Sequence, residues 1–176
     1  MLPTFSTERL IIRPRELADL EACLKMDRDP EVVRFISGPW TDEAKHKEFV
    51  LSRMKADYPE GLGYWTVLKK EDNAFLGWIM LIPVDARGPE IEIGWRLIRD
   101  AWGKGYATEA AKPILRYGFE TVGIDEAIAE IHPDNLGSMR VSEKIGLRDR
   151  GIRRNGEESV RRYSLTRMEY AAMNHT

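Results

Sequence analysis

The sequence predicts a mixed α/β fold whose single sheet changes direction. Three observations carry this. Residues 64–69, 75–82 and 90–98 are consecutive β-rich runs joined by turn signals, the pattern of an antiparallel meander. A glycine-rich turn then opens a long helical stripe that leads to a short β-rich run at 126–131, the order of a strand–helix–strand crossover. Finally, residues 147–153 and 160–167 flank Asn155-Gly156, a hairpin turn signal.

Taken in order, Leu10, Ile11 and Ile12 place a first strand within residues 8–13. Leu17, Leu20, Cys23 and Leu24 follow helical spacing across residues 16–27. Pro30 can open a short second helix through Phe35, broken by Ser37-Gly38-Pro39. Thr41 is the expected N-cap of the next helix, with Asp42 and Glu43 in its first turn, and that helix should run to about Asp57. After the meander, whose first turn falls at Glu71-Asp72-Asn73, the run 90–98 alternates. Ile91, Ile93, Trp95 and Leu97 face one way and Glu92, Gly94 and Arg96 the other. The helix predicted over 104–119 has the stripe Ala107, Ala110, Ala111, Ile114, Leu115 and Gly118, with Pro113 expected to kink or break it. A last helix over 136–145 should stop at Gly146.

A length of 176 residues suits one domain spanning 1–176, with 43% apolar and 32% charged residues, a globular composition. The net charge of −2 excludes chain-wide basicity suited to nucleic acid. The lone Cys23 excludes an internal disulfide and a multi-cysteine zinc site, and His46, His132 and His175 lack ligand spacing, so no metal is expected. No apolar run approaches the roughly 20 residues of a membrane span, and the first residues lack a signal-peptide pattern; no membrane association and a cytoplasmic location are expected.

The stretch with most chemistry is Arg99-Asp-Ala-Trp-Gly-Lys-Gly-Tyr-Ala-Thr-Glu-Ala110. Gly103, Gly105 and the small Ala107 let main-chain N–H groups approach an anion, and the new helix adds unbonded donors and a positive dipole end. The spacing is neither a Walker loop nor Gly-x-Gly-x-x-Gly. On these residues alone, a phosphate cradle and a plain tight turn stand equal.

Three motifs in register break that tie: Trp102-Gly-Lys-Gly-Tyr-Ala-Thr-Glu-Ala110, Ile91-Glu-Ile-Gly-Trp-Arg-Leu97 before it, and Asn135-Leu-Gly-Ser-Met-Arg-Val-Ser-Glu-Lys-Ile-Gly-Leu147 after it. Together they resemble the GNAT family of acetyl-CoA-dependent N-acetyltransferases. Within it, Thr7-Glu-Arg-Leu-Ile-Ile-Arg-Pro14 and Gly38-Pro-Trp-Thr-Asp-Glu-Ala44 are similar to the branch that acetylates ribosomal-protein N-termini. The resemblance implies a GNAT-like fold, a mostly antiparallel sheet flanked by helices and splayed around the cofactor turn. It implies acetyl-CoA as cofactor, with coenzyme A as product. The pyrophosphate would lie on the main chain of Trp102, Gly103, Lys104, Gly105, Tyr106 and Ala107, where Trp102 replaces the family's Gln or Arg. The pantetheine arm would run along the main chain of Trp95, Arg96 and Leu97, with Asn135 and Ser138 beside it.

The implied reaction is direct attack of a neutral primary amine on the thioester, which raises two proton-transfer requirements. Glu92, on the strand that would meet the acetyl group, is the candidate base; it can equally be an ion-paired glutamate, with Arg96 as partner. Where many relatives carry a tyrosine acid this chain has Ser142, a candidate acid or a small helix residue. Tyr106 is expected to pack. Cys23, on an apolar stripe, is not expected to be a nucleophile. Of Trp40, Trp65, Trp78 and Trp95, at most two should line an acceptor groove. The acceptor is a protein N-terminal α-amine or a small amine (polyamine, aminoglycoside or amino-acid-like metabolite). A non-catalytic acyl-CoA-binding module uses the same turn. The arginine-rich hairpin (Arg148, Arg150, Arg153, Arg154, Arg161 and Arg162) is offset by Asp149, Glu157 and Glu158, which argues against nucleic acid. Relatives that pair make a homodimer admissible, though no exposed stripe demands one.

Overall fold

The computed structural model describes residues 1–175; residue 176, the last of the expected domain, lies outside the described residues. Eight strands form one sheet: β1 (Phe5–Ser6), β2 (Leu10–Pro14), β3 (Gly63–Lys69), β4 (Phe75–Pro83), β5 (Ile91–Leu97), β6 (Glu126–Ile131), β7 (Arg148–Asn155) and β8 (Glu158–Thr166). Their order is β1-β2-β3-β4-β5-β6-β8-β7. All pairs are antiparallel except β5 with β6, the crossover pair.

That parallel pair is joined only at Ile91 opposite Ala127 and Glu92 opposite Ile128. Beyond Glu92 the strands part, so residues 93–97 of β5 keep β4 on one side and leave the other open. The crossover helix α3 (Tyr106–Tyr117) starts at this opening.

Period-two alternation divides the sheet between two cores. Trp65, Val67, Ile79, Leu81 and Ile93 pack under α3, against Ala110, Ala111 and Ile114. The two alanines let the helix lie close to the sheet. Ile114, with none of its surface exposed, contributes about 1.5–3 kcal/mol by leaving water. The alternate residues Tyr64, Trp78 and Ile82 face the other way, onto α1 (Leu20–Asp27) and α2 (Glu43–Lys55). Glu92 and Arg96 share this second face, where the sheet and helices line a half-open cavity.

Several expectations shift. Residues 30–36 form turns rather than a helix, held by Val32 N–H to Asp29 O and Ile36 N–H to Val33 O, both 3.0 Å. Asp42, not Thr41, caps α2, its carboxylate accepting from Lys45 N–H at 3.0 Å. α3 continues across Pro113; irregularity comes instead as a π-type turn, Gly118–Val122, ended by Gly123 at φ 82°. α4 (Leu136–Lys144) stops before Gly146, as predicted. The hairpin turn sits one residue later than expected, because Asn155 pairs with Glu158. A C-terminal helix, α5 (Arg167–Asn174), was not anticipated.

Candidate functional site

The glycine turn is shaped by left-handed backbone at Gly103 (φ 70°) and Gly105 (φ 80°). Gly105 is the N-cap of α3 and supplies no capping side chain, so the first-turn N–H groups of Tyr106, Ala107 and Thr108 have no helical carbonyl to meet. A Cβ added at Gly103 would touch nothing within 4 Å. The turn therefore faces open space and presents unbonded donors at a positive helix end, a fit for pyrophosphate. The turn is braced from behind. Arg9 donates to Lys104 O at 2.9 Å, and its guanidinium lies 4.4 Å from the centre of the Tyr106 ring. Glu109 accepts from Thr7 Oγ1 (2.6 Å), Arg9 N–H (2.8 Å) and Arg9 Nε (2.7 Å). Burial would raise the Glu109 pKa, but these hydrogen bonds hold it below the ordinary value. The Trp102 indole donates to Leu97 O at 3.0 Å, tying the turn to the end of β5.

Across the opening, Trp95 donates through its indole to Ser138 Oγ at 3.3 Å, linking β5 to α4. Asn135 caps α4 by accepting from Ser138 N–H at 3.2 Å. Ser142, one helical turn further on, is fully buried, and its Oγ has no hydrogen-bond partner among the described residues. It does not line the cavity that holds Glu92.

That cavity, about 280 Å³, is lined from α1, α2, the 36–40 loop and the outer face of β3–β5. Glu92 lines it at the last position of β5 paired with β6, at the mouth of the opening. Burial, reinforced by the charge of Glu130, pushes its pKa up to about 7, while Arg53 pulls the other way. The ion pair with Arg96 is not formed. Four residues along a strand span about 13 Å, and Arg96 donates instead to buried Asp27 at 2.9 Å. Its guanidinium lies 5.1 Å from the Trp40 ring centre and 5.0 Å from that of Trp78. Asp27 also meets His46 Nε2 at 3.0 Å.

Trp40 and Trp78 line the cavity, Trp65 is fully buried in the main core, and Trp95 packs against that core. Cys23 reaches the cavity wall, but burial pushes its thiol up to about 11, far from thiolate character. Arg15, Asp27, Arg53 and Asp85 also line the cavity and were not singled out from sequence. They come from separate elements, and only the fold unites them.

The arginines of the hairpin are largely paired. Arg148 and Arg150 meet Glu169 at 3.1 and 2.6 Å, Arg161 meets Asp149 at 2.5 Å, and Arg162 meets Glu130 at 3.1 Å and also Glu90. Among the described residues no cluster of His, Cys, Asp and Glu can hold a metal, and no helix is long and apolar enough to cross a membrane.

Residues 9–148 match the Acetyltransferase (GNAT) domain, and the chain belongs to this family. It is 33% identical to the FsC-acetyl coenzyme A-N(2)-transacetylase of Aspergillus fumigatus, over 97% of this chain and 79% of that protein. It is 27% identical to the uncharacterized N-acetyltransferase p20 of Bacillus licheniformis, over 97% of this chain and 99% of that protein. A GNAT-family acetyltransferase structure from Bacillus anthracis, 30% identical, superposes with a TM-score of 0.79 over 94% of this chain and 99% of that one. The protein is an acetyltransferase that uses acetyl-CoA.

Proposed function

We propose that the enzyme transfers acetyl from acetyl-CoA to a primary α-amine in a ternary complex, with Glu92 as general base. The observation that carries this is the place of Glu92: at the mouth of the β5–β6 opening, in the wall of a half-open cavity, with a pKa of about 7. A carboxylate poised there takes a proton near neutral pH. A peptide α-ammonium, with a pKa of about 7.7–8.0, gives one up far more readily than a lysine-type ammonium at about 10.4.

The residues divide the work. The main chain of residues 102–107 receives the pyrophosphate and that of residues 95–97 the pantetheine arm, with Asn135 and Ser138 alongside. Bound acetyl-CoA supplies the activated acetyl group. The amine enters through the cavity, yields its proton to Glu92 directly or through one water, and forms the new C–N bond as the C–S bond breaks. Ser142, with no exposed surface, can offer the departing sulfur a hydrogen bond only if α4 shifts when acetyl-CoA binds. A protein N-terminus and a small α-amine both meet these requirements. The kinship to an N(2)-transacetylase supports an amine acceptor.

The test pairs binding with turnover. Acetyl-CoA at about 100 times its dissociation constant should add about 2.7 kcal/mol of stability, a Tm rise of roughly 5–10 °C, and ATP should not. Glu92→Gln should keep that rise and lose most thiol release. An unchanged rate in Glu92→Gln removes the base assignment, and a protein that binds acetyl-CoA but releases no thiol with any amine is a binding module.

A further inference from the structure

Two arginines line the cavity without an ion-pair partner of their own. Arg15 and Arg53 both line it, and both, with Tyr64, also line a second cavity of about 200 Å³. Neither has a carboxylate within salt-bridge distance among the described residues. Arg15 stacks on the Tyr64 ring with 3.7 Å from Cζ to centroid, which fixes its plane, and its Nη2 is buried with no hydrogen-bond partner. In Arg96 one nitrogen, Nε, is likewise buried and unpartnered, although Nη1 is held by Asp27. Buried donors without acceptors are costly, and two like charges lining one cavity favour an anion there. Of the acid groups that line the same cavity, Asp27 is taken by Arg96 and His46, Asp85 makes no ion pair among the described residues, and Glu92 feels the Arg53 charge without forming an ion pair.

Resting on the acetyl-transfer reading above, we propose that the acceptor is a small amino-carboxylate. Its carboxylate binds Arg15 and Arg53, and its amine turns toward Glu92. A planar guanidinium matches a carboxylate bidentately, and a volume of about 280 Å³ suits a single small metabolite. Trp78, Met80 and Phe49 give the acceptor's carbon skeleton an apolar wall. The pairing also helps the chemistry. In a free amino acid the carboxylate stabilises the neighbouring ammonium; neutralising that carboxylate with two arginines eases loss of the amine proton. A polyamine brings only positive charge to the arginine end, and an ordinary peptide N-terminus brings an amide where the carboxylate would sit.

The test measures thiol release from acetyl-CoA with the common L-amino acids, their amides, N-terminal peptides and polyamines, for the wild type, Arg15→Gln and Arg53→Gln. Arg53 has no ion pair in the fold, so its variant guards against a folding defect in Arg15→Gln. The best free amino acid should exceed its own amide by about 100-fold in kcat/KM. Each arginine variant should erase most of that preference, the free acid falling to about the level of its own amide in the same variant. The same amino acid should raise the Tm of the wild type and not of either variant. Turnover of amides, peptides or polyamines equal to or above the free acids overturns this inference and leaves the transferase reading intact. Absence of turnover with every amine, together with no Tm rise on acetyl-CoA, overturns both.

Discussion

Glu92 on β5 and Glu130 on β6 project from the same face of the sheet, two strands that are parallel and paired only at their starts. The register sets Glu92 opposite Ile128, and Glu130 follows Ile128 on that face. Two carboxylates facing one another as the strands part account for the charge contribution to the raised Glu92 pKa. Glu130→Gln removes the neighbouring anion, so the acid limb of the kcat/KM–pH profile, expected near 7, should move to lower pH. A limb unmoved by this change would separate Glu92 titration from Glu130.

Glu92→Gln should act on stability in the opposite sense to activity. The folded-state pKa is about 7 against an ordinary 4.5. Between these values the folded chain binds more protons than the unfolded one, so the wild type loses stability as pH rises through that window. Glutamine removes the ionisation. At pH 8 the variant should therefore be more stable by up to about 3 kcal/mol, roughly 5–10 °C in Tm, and at pH 4 the two should melt alike. Thermal unfolding at both pH values decides this.

The two glycines of the turn should separate backbone strain from crowding. Both are left-handed, but a Cβ at Gly103 meets open space, whereas one at Gly105 lies 3.4 Å from Arg9 Nη2. Alanine at either position costs about 1–2 kcal/mol in backbone strain. Gly103→Ala places its methyl in the space proposed for pyrophosphate, and should weaken acetyl-CoA binding at least tenfold with only that stability loss. Gly105→Ala should lose more stability by disturbing the Arg9 brace. Titration calorimetry with acetyl-CoA and thermal melts read the two effects apart.

Where sequence reading succeeded and failed follows from the range of the interactions. β5 was legible because alternation is a local property: Ile93 and Leu97 on one face and Glu92 and Arg96 on the other are where the pattern put them. The helix expected at 30–35 does not form because so few residues between Pro30 and Ser37 cannot offset helix nucleation. The α5 helix, only eight residues, gives little periodicity; its signal was the Thr166…Glu169 capping box. The cavity was illegible beyond its β5 and tryptophan residues. Arg15, Asp27 and Arg53 are spread over three segments, and the preference of Arg96 for Asp27 over Glu92 is set by the packing of α1 on the sheet.

Ser142 poses a choice that one substitution resolves. A buried hydroxyl without a partner costs about 1–3 kcal/mol, and here its Oγ has none. Ser142→Ala should therefore leave the free enzyme as stable or more stable. If the hydroxyl meets the departing sulfur, kcat should fall several-fold with acetyl-CoA affinity nearly unchanged, and the acid limb set by Glu92 should stay in place. An unaltered kcat would make Ser142 a packing residue only.

Glu169 anchors the C-terminal helix to the hairpin, and its titration fixes where that anchor fails. It accepts from Arg150 at 2.8 and 2.6 Å and from Thr166 N–H at 3.0 Å, and Thr166 Oγ1 accepts in return from Glu169 N–H at 3.3 Å. The Arg150 hydrogen bonds, aided by the backbone donor, lower its pKa to about 2 from 4.5. The unfolded chain therefore binds the proton first as pH falls. The carboxylate's contribution is complete above about 4.5 and is lost between 4.5 and about 2. Solvent screens the pair, so Glu169→Ala should cost only about 1–2 kcal/mol at pH 7. The wild type and the variant should converge as the pH approaches 2. The site lies apart from the cavity, so acetyl-CoA affinity should be unchanged. Melting curves from pH 7 down to 2, with one affinity measurement, test all three outcomes; a constant difference across that range would mean that the anchor is not ionic.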